Sequence, residues 1–558
     1  MEIKHLLTEL GENLSGNEYD LYPRPSLVRD SFLSLNGTWE FKADDFNGVI
    51  TVPYPPESRL SRVNRVFKDG TSLFYKKRFT VEPGFIKDRV ILHFGAIDGI
   101  SSIYLNERLL GVHAGGYDSF SFDITDYIKR ENELKVEVID KLKGNEYPYG
   151  KQTYKRGGMW YTPVSGIWQS VWLESVPKEY VKSIKIDTGS CFCKITFEGA
   201  SSGEVILHTD SGDKIYPIVN GKAKILVENP ILWSPENPHL YYFTARLGKD
   251  TIKSYFALRT IEIKEVDGIS RILLNGEPYF FNGVLDQGYF SDGIFTPASP
   301  EEYKNDILKM KSLGFNTLRK HIKVEPEEFY YQCDKLGMIV FQDFVNNGGY
   351  SFLRDTALPT IGFKRLPKWA FRRTEKQKLR FLECAKKTIL QLYNHPSICY
   401  YTIFNEGWGQ FDSDKVYFTL KELDPSRIFD ATSGWFRGAA SDVSSEHVYF
   451  KKYKLKKSSK PIILSEFGGY SYKIDGHSAN TKKTYGYKLF NDGLEFENAL
   501  VSLYENEIIP SIKDGLSGAI YTQLSDVEDE TNGFLTYDRK ILKVNADKVK
   551  NVMKKAKI

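Results

Sequence analysis

Tyr400-Tyr401-Thr402-Ile403-Phe404-Asn405-Glu406-Gly407-Trp408-Gly409 runs an apolar, strand-length segment directly into an acidic residue. Pro461-Ile462-Ile463-Leu464-Ser465-Glu466-Phe467-Gly468-Gly469 repeats the pattern about sixty residues later, again stopping at a glutamate before glycine. Two buried strands that each end in a carboxylate place two acids at one end of a sheet. In parallel α/β barrels that C-terminal end carries the chemistry.

Outward from these two strands, everything after Asp267-Gly268 alternates strand-like and helix-like segments. The strands read as 279–284, 316–319, 338–341, 399–404, 427–430, 447–450, 462–465 and 517–523. Helical runs fall near 301–313 and 326–336. Eight strands over roughly 290 residues predict a (β/α)₈ barrel spanning 267–558. Arg319, Asp343, Glu406, Glu466 and Asp526 then fall at or just past strand ends. The long connection after the third strand, 346–375, carries Tyr350, Phe352, Phe363, Trp369 and Phe371 and reads as a lid over one side of the pocket or as a packing segment.

Upstream the texture is all β. Short alternating strands such as Gly37-Thr38-Trp39-Glu40-Phe41 and 89–94 predict a β-sandwich over 1–176, and a second β run over 177–266 has the length of an immunoglobulin-like domain. In the segment 160–172, period-2 counting puts Trp168, Ser170 and Trp172 on one strand face, with Trp160 and Tyr161 ahead of the turn and within reach of a neighbouring site.

Composition excludes several classes. With 76 basic and 72 acidic residues the net charge is +4, and no basic surface of the kind that tracks phosphates stands out, so nucleic acid is not an expected partner. The N-terminus is interrupted by charges and no stretch has the length and apolarity of a membrane span, which gives a cytoplasmic expectation with no membrane partner. Five cysteines without zinc or redox spacing read as reduced thiols, and no cofactor or metal is expected. Aromatic residues make up 14% of the chain, a content that fills sandwich cores and also stacks on sugars.

Paired carboxyls across a barrel mouth suit glycosidic bond cleavage, in which one protonates the leaving oxygen and the other acts at the anomeric carbon. With these motifs in view, the chain resembles glycoside hydrolase family 2, the β-galactosidase, β-glucuronidase and β-mannosidase family. The resemblance rests on Asn405-Glu406, on Ser465-Glu466-Phe467-Gly468 and on Gly314-Phe315-Asn316-Thr317-Leu318-Arg319. Pro23-Arg24-Pro25, 35–39 and 256–262 add to it. It implies a jelly-roll, sugar-binding-like first domain and a retaining mechanism. Glu406 would be acid then base and Glu466 the nucleophile. Asn405 would address the sugar 2-hydroxyl and Arg319 would hold Glu466, with His447 and Tyr449 near the nucleophile. Trp408 would pack or stack at the leaving-group side. Family members are often homo-oligomers, so self-association is also implied.

Two departures bear on the substrate. His321 follows Arg319 by two residues, where many members have three. After the eighth strand, Asp529-Glu530-Thr531-Asn532-Gly533 lacks the asparagine-x-lysine pair with which family β-glucuronidases bind a sugar carboxylate. Asp526, Glu528, Asp529 and Glu530 together would repel a uronate and accept hydrogen bonds from hydroxyls. Asp286 and Gln287, after the first strand, would line the subsite. The expectation is therefore an exo-acting β-glycosidase on a terminal neutral sugar, β-galactosidase-like. The alternatives are β-glucuronidase or another family specificity, β-mannoside or arabinoside, and more remotely a non-catalytic carbohydrate-binding protein.

Overall fold

The computed structural model describes residues 6–360, 362–363, 371 and 373–558. The C-terminal half holds eight parallel strands: β1 Phe281–Asp286, β2 Thr317–Lys320, β3 Ile339–Asp343, β4 Ile398–Asn405, β5 Ile428–Ser433, β6 Ser444–Val448, β7 Ile462–Gly468 and β8 Leu516–Thr522. Hydrogen-bonded neighbours run β5-β4-β3-β2-β1-β8-β7-β6. β5 and β6 meet at the seam of a nearly closed barrel. Helices Glu301–Ser312, Glu327–Leu336 and Glu375–Leu392 alternate with the strands.

The strands are apolar on both faces because both faces are covered. All eight residues of β4 are buried. Within it Cys399 and Tyr400 join Phe281, Phe341, Ile463 and Ile520 in one core, while Tyr401, Ile403 and Phe404 join a larger one with Phe381 and Leu420 from the helices. Phe341 stacks on Tyr400 at 4.1 Å and tilts against Phe281 at 5.3 Å. The uniformly apolar reading of this strand thus comes from its being shared between two cores.

Ahead of the barrel stand two sandwiches. A four-stranded and a six-stranded antiparallel sheet enclose Trp39, Phe41, Tyr75, Val136 and Leu173 in a jelly-roll. A three-stranded and a four-stranded sheet between Ser183 and Phe256 form the immunoglobulin-like unit around Ile195, Phe243 and Ile252. Both are tied down. Arg29, buried, pairs with Glu174 of the first sandwich and Asp250 of the second. Trp233 Nε1 donates to Asp334 O at 2.7 Å, and Arg259 donates to the carbonyls of Pro396 and Ile398, all at the N-terminal end of the barrel.

Several expectations change. The strand around Trp168 is broken into Gly166–Ile167 and Val171–Val176. Trp168 therefore leaves the sandwich and packs on Tyr117 and Phe295 in the barrel's core, while Trp172 stacks on His93. Cys193, Cys333 and Cys399 are buried free thiols, but Cys191 is exposed. In the lid segment, Tyr350 packs on Trp160, Phe371 packs on Phe436, and Phe352 and Phe363 are exposed. Trp369 lies outside the described residues. Among the described residues no helix is long and apolar enough to cross a membrane.

Candidate active site

Arg319 organises the barrel mouth. It leaves β2 fully buried, and its guanidinium spends its donors on three strands. Nε reaches both oxygens of Asp343 after β3, at 3.0 and 3.1 Å. Nη2 donates to Asn405 Oδ1 at 2.8 Å, and Nη1 donates to Ser465 O at 2.9 Å and Glu466 Oε1 at 3.0 Å. A planar fork of fixed donors suits this task where a lysine would not. Asn405 is thereby oriented with its Nδ2 left for another acceptor.

Glu466 sits deep, with 6% of its side chain exposed, whereas 19% of the Glu406 side chain is exposed. Burial alone would raise the Glu466 carboxyl, but His447 and Arg319 outweigh it and hold the group well below the usual carboxylate range. Tyr449 donates to its second oxygen, and the Tyr449 ring stacks on Tyr487 at 3.8 Å. Glu406 follows β4 in the left-handed region, φ +54°, and Gly407 continues there at φ +75°. A non-glycine residue held in that region is a strained position of the kind found at functional sites. The turn swings the Glu406 carboxyl toward His447, whose Nδ1 lies 2.7 Å from Glu406 Oε1.

Glu406, His447 and Glu466 present one ligand atom each within 4.8 Å of one another. That spacing could hold a cation, but Arg319 and Tyr449 already take both oxygens of Glu466, and Glu406 and Ser433 take both nitrogens of His447. The donors compete with ligation, and the arrangement suits proton transfer.

Asp343, read from the sequence as a strand-end acid, belongs to this cluster, as do His321 and Ser433, which the spacing rules did not single out as binding residues. His321 Nδ1 lies 2.6 Å from Asp343 Oδ2, and burial keeps the imidazole well below its ordinary value. The only sequence signal for it was its proximity to Arg319. Tyr485 and Tyr487, from the segment after β7, carried no signal at all.

Other expected residues are placed elsewhere. Trp408 is buried, its Nε1 donating to Gly348 O at 3.1 Å and its ring enclosed by Tyr149, Trp160 and Tyr350. It packs, and the half-buried Trp160 stands in front of it. Asp286 accepts from Lys320 Nζ at 2.6 Å and from Gly288 N. Gln287 donates to Gln523 Oε1 at 2.9 Å, and Gln523 donates in turn to Glu530 and Asn532. Asp526 is 1% exposed and ion-paired with Lys543, which takes it off the mouth.

The acidic stretch is therefore not a field of free charge. Burial pushes Asp526 up to about 6 despite Lys543, and pushes Glu528 up to about 7 despite hydrogen bonds from Thr162. Asp529 accepts from Asn480 at 2.7 Å, and Glu530 accepts from Tyr161 OH at 2.7 Å and from Gln523 at 2.8 Å. The expected repulsion of a uronate loses its basis.

A jelly-roll and an immunoglobulin-like sandwich ahead of a barrel whose mouth joins two carboxyls is the build of a glycoside hydrolase. The chain belongs to glycosyl hydrolases family 2: residues 264–558 match its TIM barrel domain, 26–177 its sugar binding domain and 188–259 a third region of the family. It is 26% identical over 432 residues to a beta-galactosidase of Thermoanaerobacter pseudethanolicus, covering 70% of this chain and 53% of that one. It is 24% identical to a beta-glucuronidase of Bacteroides fragilis, covering 78% and 65%. The chain thus spans about half to two-thirds of the length of these relatives. In fold it is similar to a beta-D-glucuronidase of Dictyoglomus thermophilum, with 20% identity, TM-score 0.75 and coverage of 96% and 98%, and to a beta-galacturonidase of Eisenbergiella tayi, with 20% identity, TM-score 0.69 and the same coverage.

Proposed function

We propose that the chain is a retaining, exo-acting β-glycosidase. The observation that carries this is the approach of Glu406 and Glu466 oxygens to within 4.8 Å, close to the roughly 5 to 5.5 Å separation of retaining pairs and well short of the wider gap that admits a water between inverting ones. Glu466, held ionised, attacks the anomeric carbon and forms a glycosyl ester. Glu406 gives its proton to the departing oxygen, then takes one from the water that opens the ester. Asn405, fixed through Oδ1, offers Nδ2 to the sugar 2-hydroxyl.

Ser465 Oγ donates to Glu446 O and Ser433 Oγ donates to Ser465 Oγ, so Ser433 is left to accept from His447 Nε2 at 3.0 Å. The serine chain thereby fixes the imidazole with its Nδ1 turned to Glu406 Oε1, 2.7 Å away, and orients the acid.

For the sugar, the names of the relatives support both galactosides and glucuronides, and the pairing of the acidic stretch removes the main ground for preferring a neutral one. A panel of nitrophenyl β-galactoside, β-glucuronide, β-galacturonide, β-mannoside, β-glucoside and α-L-arabinoside tests the reading. Turnover of at least one is expected, with first-formed product of retained configuration and no effect of chelators. Glu406→Ala should lose about 10²- to 10⁴-fold in kcat, and Glu466→Ala more. Binding of a sugar without turnover of any would leave only a carbohydrate-binding protein.

A further inference from the structure

The loop from Asp140 to Ser165 leaves the jelly-roll and lies across the barrel mouth. Tyr149 N and Gly150 N both donate to Asn346 O, beyond β3. Gly150 has φ +67°, and a Cβ there would stand 2.9 Å from Ile322 O, beyond β2. Only glycine fits this approach, and it fixes the next residue, Lys151, at the mouth. Lys151 is half-buried, its ammonium 5.8 Å from the centre of the Tyr161 ring, and the Tyr161 hydroxyl is bonded to Glu530.

Three other buried lysines of this region are each matched. Lys320 holds Asp286 at 2.6 Å, Lys323 holds Glu325 at 2.9 Å and Lys543 holds Asp526 at 2.5 Å. Among the described residues Lys151 Nζ has no hydrogen bond and no ion pair. Its charge nevertheless reaches Glu466, Glu530 and His321, opposing the effect of burial on both carboxyls and adding to it on the imidazole. These groups lie on strand ends and loops around the same mouth, so the ammonium faces the space they enclose.

An unmatched cation at the mouth, over Tyr161 and near Glu530, in a site whose other charges are paired, lacks an anion that a substrate can bring. We propose that Lys151 reads the C5 carboxylate of a β-linked uronic acid bound against Glu466, and that the chain is selective for uronides over neutral glycosides. The loop of the jelly-roll thus supplies a charge that the segment after β8 does not. This rests on the retaining β-glycosidase reading above.

The test compares kcat/KM on nitrophenyl β-glucuronide and β-galacturonide with that on nitrophenyl β-galactoside. The parent should favour a uronide. Lys151→Met should cut the uronide-to-galactoside ratio by about 10- to 100-fold, the worth of one charge-assisted hydrogen bond. Lys151→Arg should keep most of the preference, and Lys155→Met, exposed on the same loop, should leave it unchanged. Melting curves confirm that the variants are folded. A parent that hydrolyses galactoside and neither uronide overturns the proposal and leaves the glycosidase reading standing, as does an unchanged ratio in folded Lys151→Met. A parent that hydrolyses no glycoside overturns both.

Discussion

At the scale of single residues the site turns on Arg319, whose five hydrogen bonds tie β2, β3, β4 and β7 at one point. Removing its charge would leave Asp343 and Glu466 buried without their main partner, so Arg319→Met should destabilise the fold by about 3 to 5 kcal/mol, read by denaturant titration. The same change has a pH signature. As the proposed nucleophile Glu466 must be ionised to attack, and Arg319 helps to hold it well below the usual carboxylate range. Activity is therefore present above that depressed value and is lost as pH falls through it. In Arg319→Met the acid limb of the kcat/KM profile should move to higher pH, and an unmoved limb would mean that Arg319 has no electrostatic hold on the nucleophile. Glu406, Glu466, Asn405 and Arg319 were legible because each ends or follows an apolar run. Ser433, His321 and Tyr487 were not, because their roles come from which strands adjoin after closure and no local spacing records that.

At the scale of elements, the eight strands were readable since burial on both faces makes them uniformly apolar. The turns between strand and helix were harder. The segment after β8 reads as surface acid, yet Lys543, Thr162, Tyr161 and Gln523 reach it from far along the chain and bury it. Trp168 reads as sandwich core and serves the barrel instead. In the proposed mechanism the turn after β4, which carries Glu406, is the element on which catalysis depends most directly. A Cβ on Gly407 would stand 2.2 Å from the Phe436 ring, in a backbone conformation that L side chains rarely adopt. Gly407→Ala should therefore keep the far-ultraviolet circular dichroism of the parent while displacing Glu406, and kcat should fall at least tenfold with a smaller change in KM. Equal loss in both parameters, or none, would show that the turn does not position the acid.

At the scale of the molecule, the sandwiches serve the barrel as well as flank it. The jelly-roll contributes Tyr117, Tyr149, Tyr161 and Trp168 to the barrel's core, and it also buries acids of its own. The carboxyl of Glu57 is 3% exposed and accepts hydrogen bonds from Ser165 N and Oγ, and burial pushes it up to about 8. Asp98, bonded to Gln152 on the loop that carries Lys151, is likewise raised by burial. In the folded chain Glu57 keeps its proton up to about pH 8, whereas in the unfolded chain it loses it near the ordinary carboxylate value of about 4.3. Between these values the native state binds more protons than the unfolded one. Stability must then fall as pH rises, by up to about 1.4 kcal/mol per pH unit for this group, and the loss is complete above its folded value. Glu57→Gln mimics the protonated carboxyl and removes that dependence. Its melting temperature should match the parent's below about pH 4 and exceed it at pH 8. If the two curves stay parallel across that range, the carboxyl of Glu57 is ionised in the folded protein and its burial beside Ser165 does not hold the proton assigned to it here.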